Sequence, residues 1–160
     1  MPIEIGQIAP DFALRDQDGQ VRRLSDHLGT RHVVLVFYVL AFSGICAAEL
    51  CELRDDPGVF ANDTTATLAI SVDSPYAAQV FAEQEGLSFP LLSDFWPHGE
   101  VARRYGVLNE ERGFANRGTF IVDAQGTVRY AIVNRPGEPR ETEAYRKVLA
   151  ALPAPQRLAR

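Results

Sequence analysis

Residues 32–39 read HVVLVFYV, eight positions without a glycine, a proline or an acid. A strand with one wet face alternates apolar and polar residues; this one does not, so it reads as a strand buried on both faces. A second run of the same kind, ATLAISVD, occupies 66–73. Between them Ser43-Gly44 breaks the pattern, and ICAAELCELRDD follows with helical composition. Two doubly covered strands joined by a helical crossover belong in a parallel sheet. Such sheets place their ligand sites at the carboxyl ends of the strands, and Cys46 follows the first of those ends.

The rest of the chain extends this frame. FALRDQDGQVRRL (12–24) sets the turn signal Asp16-Gln17-Asp18-Gly19 between two short strand candidates, a hairpin. Ser74-Pro75 is a helix start, with Ser as N-cap and Pro at the first helical position, and Gly86 is the natural stop. Pro90 and Pro97 punctuate a loop, and HGEVARRYG (98–106) reads as a short helix ending at Gly106. GTFIVDAQGTVRYAIV (118–133) is a second hairpin, and ETEAYRKVLAALP (141–153) a closing amphipathic helix. The order is hairpin, β, α, β, α, short α, β-hairpin, α. That is an α/β, thioredoxin-like fold with an N-terminal β-hairpin extension, in a single domain over 1–160, with a frayed tail expected at 153–160.

A formal charge of −5 argues against nucleic acid as a partner, because neutralising phosphates needs a basic face. The longest apolar run, 33–42, falls far short of the roughly 20 residues of a membrane helix. The opening MPIEIGQIAPDF has no basic n-region and no long apolar segment, so no signal peptide is read there and a cytoplasmic protein is expected. Two cysteines cannot build a disulfide framework, and a reducing compartment keeps them as thiols unless their own chemistry is redox.

Those cysteines, Cys46 and Cys51, are open to four readings: a redox pair, one nucleophile with a bystander, half a metal site, or two buried apolar residues. With Ser43 as N-cap, Cys46 falls in the first helical turn, where unpaired amides and the macrodipole favour a thiolate. The Ser43 hydroxyl is within capping reach of the Cys46 amide. Cys51 lies five residues on, about 140° around the helix and roughly 8.6 Å away between Cα atoms. A disulfide needs about 7 Å or less, so the two cannot bond while the helix is intact. The histidines, His27, His32 and His98, are scattered without ligand spacing, which counts against a metal.

From Ser43 to Cys46 the sequence resembles the peroxiredoxin family, and the likeness runs from about residue 3 to 152. GQIAPDFALRDQDG (6–19), GLSFPLLSDF (86–95), VARRYGV (101–107) and NRGTFIVDAQGTVRY (116–130) carry it together. LAFSGIC and LLSDFWPHG resemble the alkyl hydroperoxide reductase E branch, and the second cysteine resembles the PrxQ type. In the family pattern Pro-x-x-x-Thr/Ser-x-x-Cys, Cys46 matches the peroxidatic cysteine and Ser43 the Thr/Ser. Val39 stands where the family has proline, giving an extra N–H and a freer φ. Arg117 matches the arginine that holds thiolate and peroxide, and Glu49 resembles the acid that orients it, although a helix-surface Glu or a surface Arg ion pair needs no such role.

The resemblance implies a thiol-dependent peroxidase acting on hydrogen peroxide or organic hydroperoxides. Cys46 becomes a sulfenic acid, the helix unwinds, and Cys51 as resolving cysteine closes a disulfide that a thioredoxin or glutaredoxin-like dithiol reduces. It implies neither metal nor organic cofactor, and a homodimer is among the family's assemblies. Phe42 and Trp96 are read as core packing or as an apolar wall for organic hydroperoxides. Two other functions stay open: a redox-sensing thiol switch, since unwinding is a two-state event, and a repurposed relative using Cys46 on another substrate, marked by Val39.

Overall fold

The computed structural model describes residues 1–155. In chain order it holds β1 (Ala13–Arg15), β2 (Val21–Arg23), a 3-10 turn (Leu24–Asp26), β3 (His32–Phe37), α1 (Gly44–Arg54), α2 (Pro57–Phe60), β4 (Thr65–Ser71), α3 (Pro75–Glu85) and β5 (Leu91–Ser93). It continues with α4 (Glu100–Arg104), β6 (Leu108–Asn109), β7 (Phe114–Ala115), β8 (Arg117–Val122), β9 (Val128–Asn134) and α5 (Thr142–Ala151). Seven strands make one sheet in the order β2-β1-β5-β4-β3-β8-β9, and β6 pairs with β7 apart from it.

The two apolar runs lie where their composition puts them. β3 is buried at every position and pairs parallel with β4, Leu35 facing Leu68, and antiparallel with β8. Alternate residues feed two core layers. Val33, Leu35 and Phe37 meet Phe12, Tyr105 and Phe120 on one side, while Val34 and Val36 lie with Leu50, Phe81 and Tyr145 on the other. Covering both faces is what lets so apolar a strand exist in water.

Local signals set the element ends. The Ser74 hydroxyl accepts the Ala77 amide at 3.2 Å, and Gly86 closes α3 in the left-handed region at φ +64. In the first hairpin the Asp16 carboxylate accepts the amides of Asp18 and Gln20 and the Arg22 guanidinium. Asp123 does the same at the β8–β9 turn, holding the amides of Gln125 and Thr127 and the Arg129 guanidinium.

The loop expected around Pro90 and Pro97 instead contains β5, which continues the parallel sheet beside β4. Three residues are too few to show a strand period, and Pro90, with no amide to donate, still offers its carbonyl to the Ala69 amide at 3.1 Å. α2, β6 and β7 are likewise too short to be read from pattern. Core packing for Phe42 and Trp96 is also corrected, because they are 50% and 81% exposed. At the start of the expected tail, the Pro153 carbonyl is bonded to His32 Nε2 at 2.9 Å; residues 156–160 lie outside the described part. No helix among the described residues is long and apolar enough to cross a membrane.

Candidate active site

The site begins where β3 runs out. Past Phe37 the Tyr38 amide still bonds to Ile70, and then Val39–Phe42 turns away from the sheet. The Asp73 carboxylate anchors this turn, accepting the Ala41 amide at 2.8 Å and the Ser71 hydroxyl at 2.6 Å. Phe42 sits at φ +67, a left-handed conformation costing a non-glycine residue about 1–2 kcal/mol. Its ring meets Phe81 edge-on at 5.3 Å.

Ser43 then takes the extended N-cap conformation and its carbonyl accepts the Ala47 amide at 2.9 Å. Its hydroxyl makes no capping bond, so the capping role that spacing allowed is not filled. That leaves the side chain free for another acceptor or donor at the helix start. Cys46 is the third residue of α1 and only 1% exposed, packed in the layer that holds Tyr38 and Leu50.

One turn further on, Glu49 is buried rather than on the helix surface. Arg117, at the start of β8, donates to its Oε1, and the Arg140 amide donates to Oε2 at 3.0 Å. The Arg140 guanidinium lies 3.2 Å from the same Oε2 and also donates to Thr119 Oγ1 and to the Gly118 and Phe37 carbonyls. Arg117 in turn donates to the Arg135 and Glu138 carbonyls. Two guanidinium groups against one carboxylate leave one uncompensated positive charge in a buried cluster under the Cys46 helix. Its electrostatic complement is one anion.

One nitrogen of the Arg117 guanidinium has no partner at all. It is the buried Nε, and the residue lines a cavity of about 270 Å³ bounded by Val39, Ile45, Phe114, Asn116 and Pro136. Val39, at the position the family gives to proline, is therefore part of this wall. A buried N–H with no acceptor costs free energy until something polar occupies the space beside it.

Cys51 is turned elsewhere. Its sulfur is half-buried and donates to Glu85 Oε2 of α3 at 3.6 Å. Burial pushes this thiol up; the Arg54 charge opposes that, and Glu85 adds to it. Both cysteines are free and share one unbroken helix, so the geometric bar to a disulfide holds here.

Ser43, Cys46, Glu49 and Arg117 thus gather at the carboxyl end of β3, with Cys51 on the same helix but facing α3. Sequence reasoning missed Arg140 and Asp73. Arg140 stands in a proline- and glycine-flanked loop with no spacing to flag it, and the only hint for Asp73 was its place at the end of an apolar strand.

A buried first-turn cysteine and a two-arginine carboxylate cluster on a thioredoxin-like sheet define a thiol-redox class of protein. Residues 5–131 match the AhpC/TSA family, and the chain belongs to that family, the peroxiredoxins. It is 51% identical over 152 residues to alkyl hydroperoxide reductase E of Mycobacterium tuberculosis, covering 95% of this chain and 99% of that one. It is 36% identical to a chloroplastic 2-cysteine peroxiredoxin of Chattonella marina, covering 95% and 82%. Among solved structures, peroxidoxin BcpB from Mycobacterium tuberculosis superposes with a TM-score of 0.85 at 32% identity, covering 95% of this chain and 99% of that one. Mycobacterium tuberculosis AhpC gives 0.82 at 25% identity, covering 94% and 93%.

Proposed function

We propose that the chain is a thiol-dependent peroxidase in which Cys46 is the peroxidatic and Cys51 the resolving cysteine. The observation that carries this is the unpartnered, buried Nε of Arg117, a residue lining a cavity that also takes in Ile45 of the first turn of α1, next to Cys46. The Cys46 thiolate attacks one oxygen of a hydroperoxide, the O–O bond breaks, and its electron pair leaves as hydroxide or alkoxide, which takes up a proton. A guanidinium donor aimed at that developing charge is the catalytic device, and Glu49 with Arg140 fixes its orientation. Ser43, with its hydroxyl uncommitted, supplies a second polar contact to the peroxide.

The resulting Cys46 sulfenic acid then condenses with the Cys51 thiol, forming the S–S bond and releasing water. α1 must lose its first turns for this. A thioredoxin or glutaredoxin-like dithiol then exchanges with the disulfide, returning two thiols and becoming oxidised itself. The reducing compartment that sustains such a cycle is the cytoplasm. Phe42, Tyr76, Phe95 and Trp96, all exposed, follow the carboxyl ends of β3, β4 and β5, and this shared rim supports a homodimer closed over the site.

The test is the intact mass of fully reduced protein after one equivalent of hydrogen peroxide, repeated on Cys51→Ser. Loss of two hydrogens in the parent and one added oxygen in the variant are expected. An added oxygen in the parent would leave Cys46 working alone, and no change would end the peroxidase reading. Val39 on the cavity wall favours one other reading, a relative repurposed toward another substrate. A peroxidase rate that rises in Val39→Pro supports that reading, and an unchanged rate counts against it.

A further inference from the structure

Glu85, the last residue of α3, has no part in the chemistry above, yet it touches α1 twice. Its carboxylate receives the Cys51 thiol at 3.6 Å, and its backbone carbonyl receives the Arg54 guanidinium. Cys51 and Arg54 are three residues apart and so share one helix face. Glu49, on another face, is held by Arg117 and Arg140. From Glu49 to Arg54 the helix is therefore pinned to two separate parts of the fold. The preceding stretch, Gly44–Ala48, has no such anchor; apart from Cys46 its side chains are exposed or half-buried, and Gly44 is a poor helix former.

We propose that Glu85 is the positioning residue of the resolving thiol, seating Cys51 against α3 as a neutral S–H while Gly44–Ala48 unwinds and carries Cys46 to it. This rests on the reading of Cys51 as the resolving cysteine. The asymmetry matters because Cys51 keeps its place and Cys46 does the travelling. A carboxylate beside the sulfur disfavours a second negative charge there, so Cys51 stays unreactive toward peroxide until the sulfenic acid arrives. At that point the S–O bond of Cys46 breaks, the S–S bond forms, and the Cys51 proton leaves with the hydroxyl as water.

Two measurements test it. The first is the pH profile of iodoacetamide alkylation in Cys46→Ser protein, where Cys51 is the single thiol, with and without Glu85→Gln. With the Glu85 charge 3.6 Å from the sulfur removed, the profile moves to lower pH and alkylation near neutral pH is faster. Glu85→Asp, which keeps the charge, holds the profile near the parent's. Superimposable profiles for all three proteins overturn the proposal. The second is amide exchange in the peroxide-oxidised full chain. Protection is expected to vanish over Ala47–Glu52, whose amides bond to the carbonyls of Ser43–Ala48, and to persist at Leu53, Arg54 and Asp55, whose amides bond to Glu49, Leu50 and Cys51; equal loss over both stretches overturns the seating. If the oxidised parent contains no disulfide, the resolving role itself has failed, whereas the alkylation profile still reports on Glu85.

Discussion

Replacing Glu49 by Gln keeps the shape of the side chain and removes its charge. The Glu49 side chain is 11% exposed, that of Arg117 5% and that of Arg140 2%, so the two guanidinium groups would face each other without water or a counter-charge. Breaking a buried ion pair from one side costs about 3–5 kcal/mol. The Gln carbonyl oxygen still accepts one hydrogen bond, which places the loss near the lower end, about 3 kcal/mol. For a chain of this length about 1 kcal/mol corresponds to roughly 2–4 °C in Tm, so a drop of about 6–12 °C is expected by calorimetry. Glu110→Gln is the control, because its pair with Arg103 is open to solvent, 63% and 56% exposed, and its Tm should stay at the parent value. If Glu49→Gln melts within about 2 °C of Glu110→Gln, the cluster does not carry the uncompensated charge assigned to it. Peroxide oxidation of Cys46 should slow in the same variant, since Arg117 loses its orienting partner.

Acid should act on the two hairpin turns. Burial works against the Asp16 and Asp123 carboxylates, but the guanidinium of Arg22 or Arg129 and the turn amides outweigh it, leaving both below the usual carboxylate range. A carboxyl lower in the folded than in the unfolded chain stabilises the fold above about pH 4 and loses that contribution as pH falls further. Urea unfolding between pH 6 and pH 2 should therefore be less pH-dependent in an Asp16→Asn/Asp123→Asn variant, and an identical slope refutes the assignment. Ser74→Ala removes the α3 cap and should cost about 1 kcal/mol, read as roughly 2–4 °C in Tm. Gly106→Ala should dislodge the N-terminus: at φ +74 a Cβ would stand 2.2 Å from the Met1 carbonyl oxygen. Faster aminopeptidase trimming with loss of the Ile3–Tyr105 backbone bond, seen by amide exchange, is the expected signature.

What the sequence determined by itself was everything governed by neighbours along the chain. An apolar octet must become a doubly covered strand, Ser74-Pro75 must open a helix, and Asp-x-x-Gly must turn between short strands. The same local geometry puts Cys46 in the first turn of α1 and keeps Cys51 out of disulfide reach. Only the tertiary structure decided which distant groups meet. Glu49 and the Arg140 amide are 91 residues apart, and Cys51 and Glu85 are 34 apart. No spacing rule marks such pairs, because it is the crossovers and the closing hairpin that bring them side by side. For the same reason the pattern could not tell that Glu49 is buried or that Phe42 and Trp96 face outward. β5 needed β4 beside it to exist as a strand at all, since three residues gain their hydrogen bonds from a partner and not from a period. Local chemistry placed Cys46 in the first turn of its helix, and the packing of remote charges beneath that helix chose its surroundings.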